Sequence, residues 1–454
     1  VSDLLAAVAV QRAAPAPPVR IVHLGLGAFS RSHLAWYTQH ASDRADWGIS
    51  AYTGRSRGLA DRLAAQDGVY TLVSRDDEGD RSELIESVVD AHAGDDVAAL
   101  VADIAAPATA IITLTVTEVG YRLDAAGRPD GADPVVRADT DVLRAVFAGA
   151  VVPADASPSS ALGRVLLGLE ARRRAGGGAL AIVSCDNLSD NGGRVQRALH
   201  AWSHMLSAQL AEWIGRHVQF VSSSVDRITP GLDAVDAASL ERQYGDSAPV
   251  VAEPFSDWVI SGRFPAGRPD WESAGARFVD DLEAWEARKL WLLNGAHTLL
   301  ACLGLVRGHR TVAEAIADPF CARAVDDLWD EAERHLPAGL GIEGYRTALL
   351  QRFRNSRIAH RLTQIASDSA AKLSLRVIPV LQRERAAGRM PKGGVRTLAA
   401  WVEASEAGLI STGARATEEG DATEQLLRRL GSGIADDRPL VRAVDRDRGL
   451  LSGN

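Results

Sequence analysis

The chain reads as α/β: an N-terminal doubly wound domain followed by a mainly α-helical C-terminal domain. Three observations predict this. Short, apolar, β-branched runs alternate with helical stretches through the first part of the chain. Polar residues gather just after the carboxyl ends of those runs, where open α/β sheets bind ligands. Beyond about Asp280, helical periodicity alone remains.

Val19 to Leu24 is the first strand candidate, running into Gly25-Leu-Gly27-Ala-Phe29-Ser30 and a helical stretch from Arg31 to about His40. Trp47 to Thr53 reads as a second strand. Ala110 to Val119 reads as a buried one ending at Glu118-Val-Gly120-Tyr121. Ala179 to Ser184 ends at Cys185-Asp186-Asn187, and Val218 to Val225 at Asp226-Arg227. Helices are expected over Ser160–Ala175 and Gly192–Gly215. The Gly/Pro-rich connection Gly262–Asp270 breaks the pattern, and the Gly/Asp-rich stretch Ala125–Asp133 reads as a surface loop. Helices then follow over 281–307, 311–334, 343–353, 358–367, 371–387, 393–406 and 422–430. The expected domains are therefore 1–279, binding a dinucleotide, and 280–454, helical and carrying substrate and catalytic groups.

Composition excludes several classes. With 454 residues, two or three cores are expected. A net charge of −9, and arginines interspersed with acids, argue against a nucleic-acid surface. Cys185, Cys302 and Cys321 are too few and scattered for a disulfide framework or a Cys-rich zinc site, which fits a reducing cytoplasm, and no metal is expected. No apolar run reaches the length that crosses a bilayer. Val1 to Pro18 reads as a short tail and helix, with no basic region of the kind that begins a signal peptide.

Gly25-x-Gly27, after a strand and before a helix, is the context a Rossmann fingerprint requires. Its glycines permit a tight turn and close approach of a pyrophosphate. The third glycine is replaced by Ser30, and such a pair also occurs in simple turns. The second strand lacks the terminal acid that grips NAD ribose hydroxyls. It runs instead into Thr53-Gly54-Arg55-Ser56-Arg57, whose arginines suit either a 2′-phosphate or a solvated loop. These residues leave NAD and NADP both open.

All but three of the 50 basic residues are arginine; the exceptions are Lys289, Lys372 and Lys392. Arginine keeps its proton, whereas a desolvated lysine can release it. With Lys289 at 0° and a helical advance of about 100° per residue, Glu286 falls at about 60°, His297 at about 80° and Asn294 at about 140°. Trp291, Leu292 and Leu299 line the opposite side, so the helix is expected to be buried all round. A buried amine can exchange a proton with an alcohol, an Asn N–H can stabilise the oxyanion, and His297 can orient the same oxygen. Glu286 can pass the proton to water. Taken singly, the ordinary readings are a Lys289–Glu286 pair on an exposed face and a satisfied core histidine. Four such groups beside a dinucleotide-type fold favour chemistry.

The run Lys289…Asn294-Gly…His297 resembles the Lys-x4-Asn-x2-His signature of the polyol-specific long-chain dehydrogenases, the mannitol dehydrogenase and fructuronate reductase family. The resemblance spans nearly the whole chain. Gly25-Leu-Gly27-Ala-Phe29-Ser30-Arg31-Ser-His33 is similar to the family's Gly-x-Gly-x-Phe-His-Arg-Ala-His, with Ser30 in place of His. Asp67-Gly-Val-Tyr70, Thr115-Val-Thr117-Glu118, Ser184-Cys185-Asp186-Asn187, Val225-Asp226-Arg227-Ile-Thr229-Pro230 and Phe264–Pro269 resemble further blocks. The resemblance implies a zinc-independent dehydrogenase that uses NAD, with NADP not excluded by Arg55 and Arg57. It implies Lys289 as acid/base, Asn187 and Asn294 as the oxyanion pair, and His297 and Asp226 against the substrate. It also implies Glu118 and Glu286 as proton gates, with Gly25, Gly27, Phe29, Arg31 and Arg55 toward the cofactor.

In Arg352–Lys372, the family's mannitol and arabinitol members carry Asp where His360 stands and Arg where Gln364 stands. The His360-Arg361…Gln364 version resembles uronate reductases. Arg361 and Lys372 are candidates for a substrate carboxylate, since a guanidinium grips one bidentately; a surface ion pair is the plainer reading of Arg361. Ser356 and Ser369-Ala370-Ala371 depart from the family pattern. The expected reaction interconverts D-mannonate and D-fructuronate. The alternatives are a mannitol or arabinitol dehydrogenase, and a dinucleotide-binding sensor without turnover. The expected partner is a small sugar acid or polyol, and oligomeric state is not readable.

Overall fold

The computed structural model describes residues 10–12, 14–54, 57–358, 360–411 and 422–451. The chain divides into two compact units, Val1–Arg75 with Gly79–Leu282, and Asp76–Glu78 with Glu283–Asn454. The strands are β1 (Val19–Leu24), β2 (Gly48–Tyr52), β3 (Tyr70–Asp76), β4 (Gly79–Ile85), β5 (Val88–His92), β6 (Ile111–Leu114), β7 (Leu180–Ser184), β8 (Val218–Asp226), β9 (Val250–Ala252), β10 (Asp257–Ser261) and β11 (Arg277–Phe278).

Eight of them form one sheet in the order β11-β10-β8-β7-β6-β1-β2-β5. From β5 to β8 all neighbours are parallel, and β10 adds antiparallel to β8. The chain moves outward from β1 through β2 to β5, then returns to β6 and proceeds the other way. The order therefore reverses between β1 and β6, the topological switch point where doubly wound sheets bind ligands. The smaller sheet is β4-β3-β9.

Both faces of the large sheet are covered, as a parallel sheet requires. Ile21 and Val22 are each fully buried but face opposite ways, following the two-residue period of a strand. Val22 packs with Leu100, Ile104 and Leu166; Ile21 packs with Leu34, Ile49 and Trp258.

Arg172 ties this unit together. The residue is 1% exposed, and its guanidinium donates to the carbonyls of Gly178 (2.8 Å), Ile104 (2.8 Å), Ala106 (2.9 Å) and Thr109 (3.0 Å). Arg172→Met removes a donor from each of these carbonyls, of which Ala106 O keeps Thr109 N at 3.1 Å. We expect a loss of about 3 kcal/mol or more, read from urea unfolding of this unit; a loss below about 1 kcal/mol would contradict this account.

The expected strand Ala110–Val119 is shortened to Ile111–Leu114. Beyond it, Thr117 turns to φ 67°, and the amides of Val116 and Thr117 bond the Asp186 carboxylate instead of a neighbouring strand. The single helix expected over Gly192–Gly215 is two, Asn191–Leu206 and Ala208–His217. Ser207 ends the first and caps the second, its hydroxyl accepting from Leu210 N at 3.2 Å. Of Val1–Pro18, where a short tail and helix are expected, residues 1–9 and 13 lie outside the described residues; the described remainder is irregular.

The second unit is helical, built around the segment Glu283–Val306. Helices Val312–Ala317, Pro319–Glu333, Leu362–Ile365 and Lys392–Glu406 pack on it. The expectation that no apolar run could cross a bilayer needs correction: this 24-residue helix passes by length and composition. Its apolar window is 72% buried within the protein, which makes it a core helix.

Candidate active site

In the first unit, the switch point lies between the ends of β1 and β6. Gly25 follows β1 at φ 112°, a region closed to side chains, and a Cβ there would lie 2.1 Å from the Thr115 carbonyl. Beneath it, His23 shares its ring nitrogens between the hydroxyls of Thr113 (2.8 Å) and Thr115 (3.2 Å), and Thr115 donates to Gly25 O at 2.9 Å. Burial lowers the His23 pKa to about 4, so this support is neutral at physiological pH. Gly27 differs from Gly25. A Cβ there meets nothing nearer than Gly25 O at 3.6 Å, so any side chain would project into open space over the loop. A pyrophosphate lying against bare backbone fits that arrangement. Ser30 fastens the loop by accepting from Gly27 N at 3.0 Å.

Phe29 is half-buried and stacks on His33 at 4.9 Å. Arg31, expected to meet a cofactor, is buried instead. Its guanidinium donates to Gly27 O and Ala248 O and lies over Tyr70, bracing the loop from inside. Arg55 lies outside the described residues. Arg57 pairs with Asp95 at 2.9 Å on the exposed surface.

The same edge of the sheet carries the residues following β6, β7 and β8. Asp186 fixes two of these ends together: its carboxylate accepts from Thr117 N (2.8 Å), Val116 N (3.2 Å) and Tyr121 Oη (2.6 Å). Burial raises the Asp186 pKa, against the pull of these donors. The arrangement leaves its neighbour Asn187 exposed, with Glu118 exposed beside Thr117. Asp226 is 9% exposed at the end of β8.

In the second unit, the lysine helix departs from the α form. Glu283–Arg288 is α-helical, Lys289–Asn294 is a π-helix, and Gly295–Val306 is α-helical again. Gly295 N bonds Leu290 O, the i→i+5 spacing of a π turn. Trp329, fully buried, donates its indole N–H at 2.8 Å to Leu292 O, a carbonyl that also accepts from Gly295 N. The wider turn brings Asn294 nearer the face of Lys289 than a spacing of about 100° per residue allows. Glu286, Lys289 and Asn294 are half-buried.

His297 is buried against Phe353 (5.0 Å) and meets His360 edge-to-face at 4.8 Å. Burial, then His360, Arg352 and Arg376, hold its pKa well below the usual value, so it works as a neutral ring. Its Nε2 has no hydrogen-bond partner among the described residues, and neither has His360 Nδ1.

Arg361 is exposed, just before the helix Leu362–Ile365. Lys372 is half-buried, its ammonium donating to Ile365 O (2.9 Å) and Ser367 Oγ (3.3 Å). Sequence reasoning passed over Arg376, although it stands four residues after Lys372 on one helix and so shares its face. His309, Asp318 and Cys321 offer ligand atoms within 4.8 Å of one another. The Asp318 oxygen facing His309 already takes Arg307 Nε at 2.5 Å, so a cation occupies that role.

Two family models match the chain: the mannitol dehydrogenase Rossmann domain over residues 19–273 and the mannitol dehydrogenase C-terminal domain over 281–407. The chain belongs to the mannitol dehydrogenase family. It is 36% identical to the D-mannonate oxidoreductase of Escherichia coli (strain K12), over 79% of this chain and 74% of that protein. It is 34% identical to a mannitol 2-dehydrogenase of Cereibacter sphaeroides, over 84% of this chain and 80% of that one. Among solved structures it is similar to the Pseudomonas fluorescens mannitol 2-dehydrogenase in ternary complex with NAD and D-mannitol. The TM-score is 0.75 at 31% identity, covering 96% of this chain and 92% of that one. The chain is thus a mannitol dehydrogenase family oxidoreductase.

Proposed function

We propose that this family member is an NAD-dependent oxidoreductase interconverting D-mannonate and D-fructuronate. The observation that carries the reading is His360. It packs edge-to-face on His297, and burial with Arg352 nearby lowers its pKa. A neutral ring therefore stands where mannitol-type members carry an acid, and an acid there would repel a substrate carboxylate. The similarity to a D-mannonate oxidoreductase supports the same reading.

The Gly25–Gly27 loop would hold NAD, which would supply the acceptor and donor for the hydride of the carbinol carbon. Lys289 takes the hydroxyl proton during oxidation and returns it during reduction. Amide N–H groups of Asn187 and Asn294 stabilise the charge that grows on that oxygen. Neutral His297 donates or accepts a hydrogen bond without adding charge. Glu286, one turn before Lys289, and Glu118 exchange the proton with water. Asp226 and Lys372 contact substrate hydroxyl and acid groups.

Comparing NADH oxidation with D-fructuronate and with D-fructose tests this. A kcat/KM for fructuronate at least about a hundredfold higher is expected, roughly the discrimination that charge-assisted contacts supply. Equal or greater activity on fructose would instead support a mannitol 2-dehydrogenase, the activity named for two of the similar proteins.

A further inference from the structure

The second unit holds a cation that the mechanism above does not use. Arg376 ends the helix Ser369–Arg376 and is half-buried. Its one hydrogen bond among the described residues runs from Nη1 to the hydroxyl of Thr298 at 3.2 Å, and no carboxylate there pairs with it. A guanidinium offers five N–H donors, and a buried one is ordinarily paired. Burial lowers its pKa only to about 10, so it stays charged at neutral pH.

Its surroundings are just as poor in acid. Lys372, on the same helix face, donates to a carbonyl and a hydroxyl, both neutral, and Arg376 disfavours its charged form. Asp368 is the one acid that acts noticeably on Lys372. Arg352 is buried as well, and its charge reaches both His297 and His360. Arg376 and Lys372, half-buried on one helix face, repel one another unless an anion joins them.

The position is as informative as the charge. The Arg376 carbonyl lies close enough to Gly295 that a Cβ there would stand 3.4 Å away. Thr298, which receives the Arg376 bond, donates to Asn294 O at 2.9 Å. Arg376 is thus joined through one hydroxyl to the end of the π turn, with the open nitrogens of His297 and His360 nearby.

We propose that Arg376, assisted by Lys372, binds the substrate carboxylate and sets the preference for a sugar acid over a neutral polyol. This rests on the sugar-acid reading above. It assigns the carboxylate to Arg376 in place of the exposed Arg361.

The test uses full-length protein loaded with NADH, so that D-mannonate and D-mannitol bind without turnover, and reads both affinities by calorimetry. Arg376→Met is expected to weaken D-mannonate about 30-fold, the scale of a lost charge-assisted pair, and to change D-mannitol by less than about threefold. Arg376→Lys, which keeps the charge and loses the fork, should weaken D-mannonate about fivefold and serves if the methionine variant does not fold. Equal weakening of both ligands would show that Arg376 only braces Asn294, and unchanged D-mannonate affinity would remove the assignment outright. The two readings separate. Arg376-dependent D-mannonate binding without fructuronate reduction keeps the anion site and discards the reaction. Fructuronate reduction with an unchanged KM in Arg376→Met keeps the reaction and discards the site.

Discussion

Lys289→Ala should lower kcat by about 10²–10⁴-fold while leaving the dissociation constant for NADH unchanged. The expectation follows from chemistry that no neighbour can replace. Hydride transfer to or from the carbinol carbon requires a proton to leave or reach its oxygen. Among the lysine helix groups, His297 is held neutral with a low pKa, so it is a poor acid reservoir at pH 7. Asn294 has no proton to give. Glu286 is one turn away, in reach of the amine rather than of the substrate oxygen in this mechanism. Lys289→Arg is expected to fare little better, because a guanidinium keeps its proton. Steady-state kinetics and NADH fluorescence titration read the two quantities separately. Turnover within tenfold of wild type in Lys289→Ala would remove lysine from the mechanism.

Gly25→Ala carries the other large effect. Two costs coincide there. The residue sits at φ 112°, and the added Cβ falls 2.1 Å from the Thr115 carbonyl, which belongs to backbone and cannot swing aside. Either the loop leaves the end of β1 or the start of the β6 loop moves. Both choices disturb the Thr115–Gly25 and Thr115–His23 bonds that support the site. Backbone strain of this kind costs about 1–3 kcal/mol and the overlap adds to it. NADH affinity should fall at least about a hundredfold, equivalent to about 2.7 kcal/mol, with a lowered melting temperature. Gly27→Ala is a useful contrast. Its Cβ meets nothing within 3.6 Å, so stability should hold while NADH affinity falls. If Gly25→Ala bound NADH normally, the loop would not be the cofactor cradle.

The doubly wound sheet was legible because its central strands, Ile111–Leu114 and Leu180–Ser184 among them, are short, continuous and apolar, as burial on both faces demands. Among the strands that went unseen, β4 shows the opposite reason. Gly79–Ile85 reads GDRSELI and is largely exposed, so pairing rather than burial holds it. The lysine helix was legible as a helix but not as a π turn, since apolar periodicity over so few residues does not register one bond lengthened to the i→i+5 spacing. Arg31 misled for a different reason. The family resemblance placed it toward the cofactor, while the partner that turns it inward, Ala248, lies 217 positions away. Arg376 was one helical turn from Lys372 and could have been found by spacing; its missing acid partner could not.

The π turn also constrains how this gene can vary. It accommodates one residue more than an α-helix would use between Lys289 and Gly295. Removing one residue from Leu290 to Leu293 would let the segment close as α-helix with His297 and Thr298 at about their present angle relative to Lys289, because the extra residue is what the wider turn takes up. Adding one has no such outlet, and everything downstream would swing about 100° around the axis. Single-codon gains here should therefore be far less tolerated than single-codon losses, even though the segment is a plain apolar stretch. The number of residues in it matters more than which apolar residues they are.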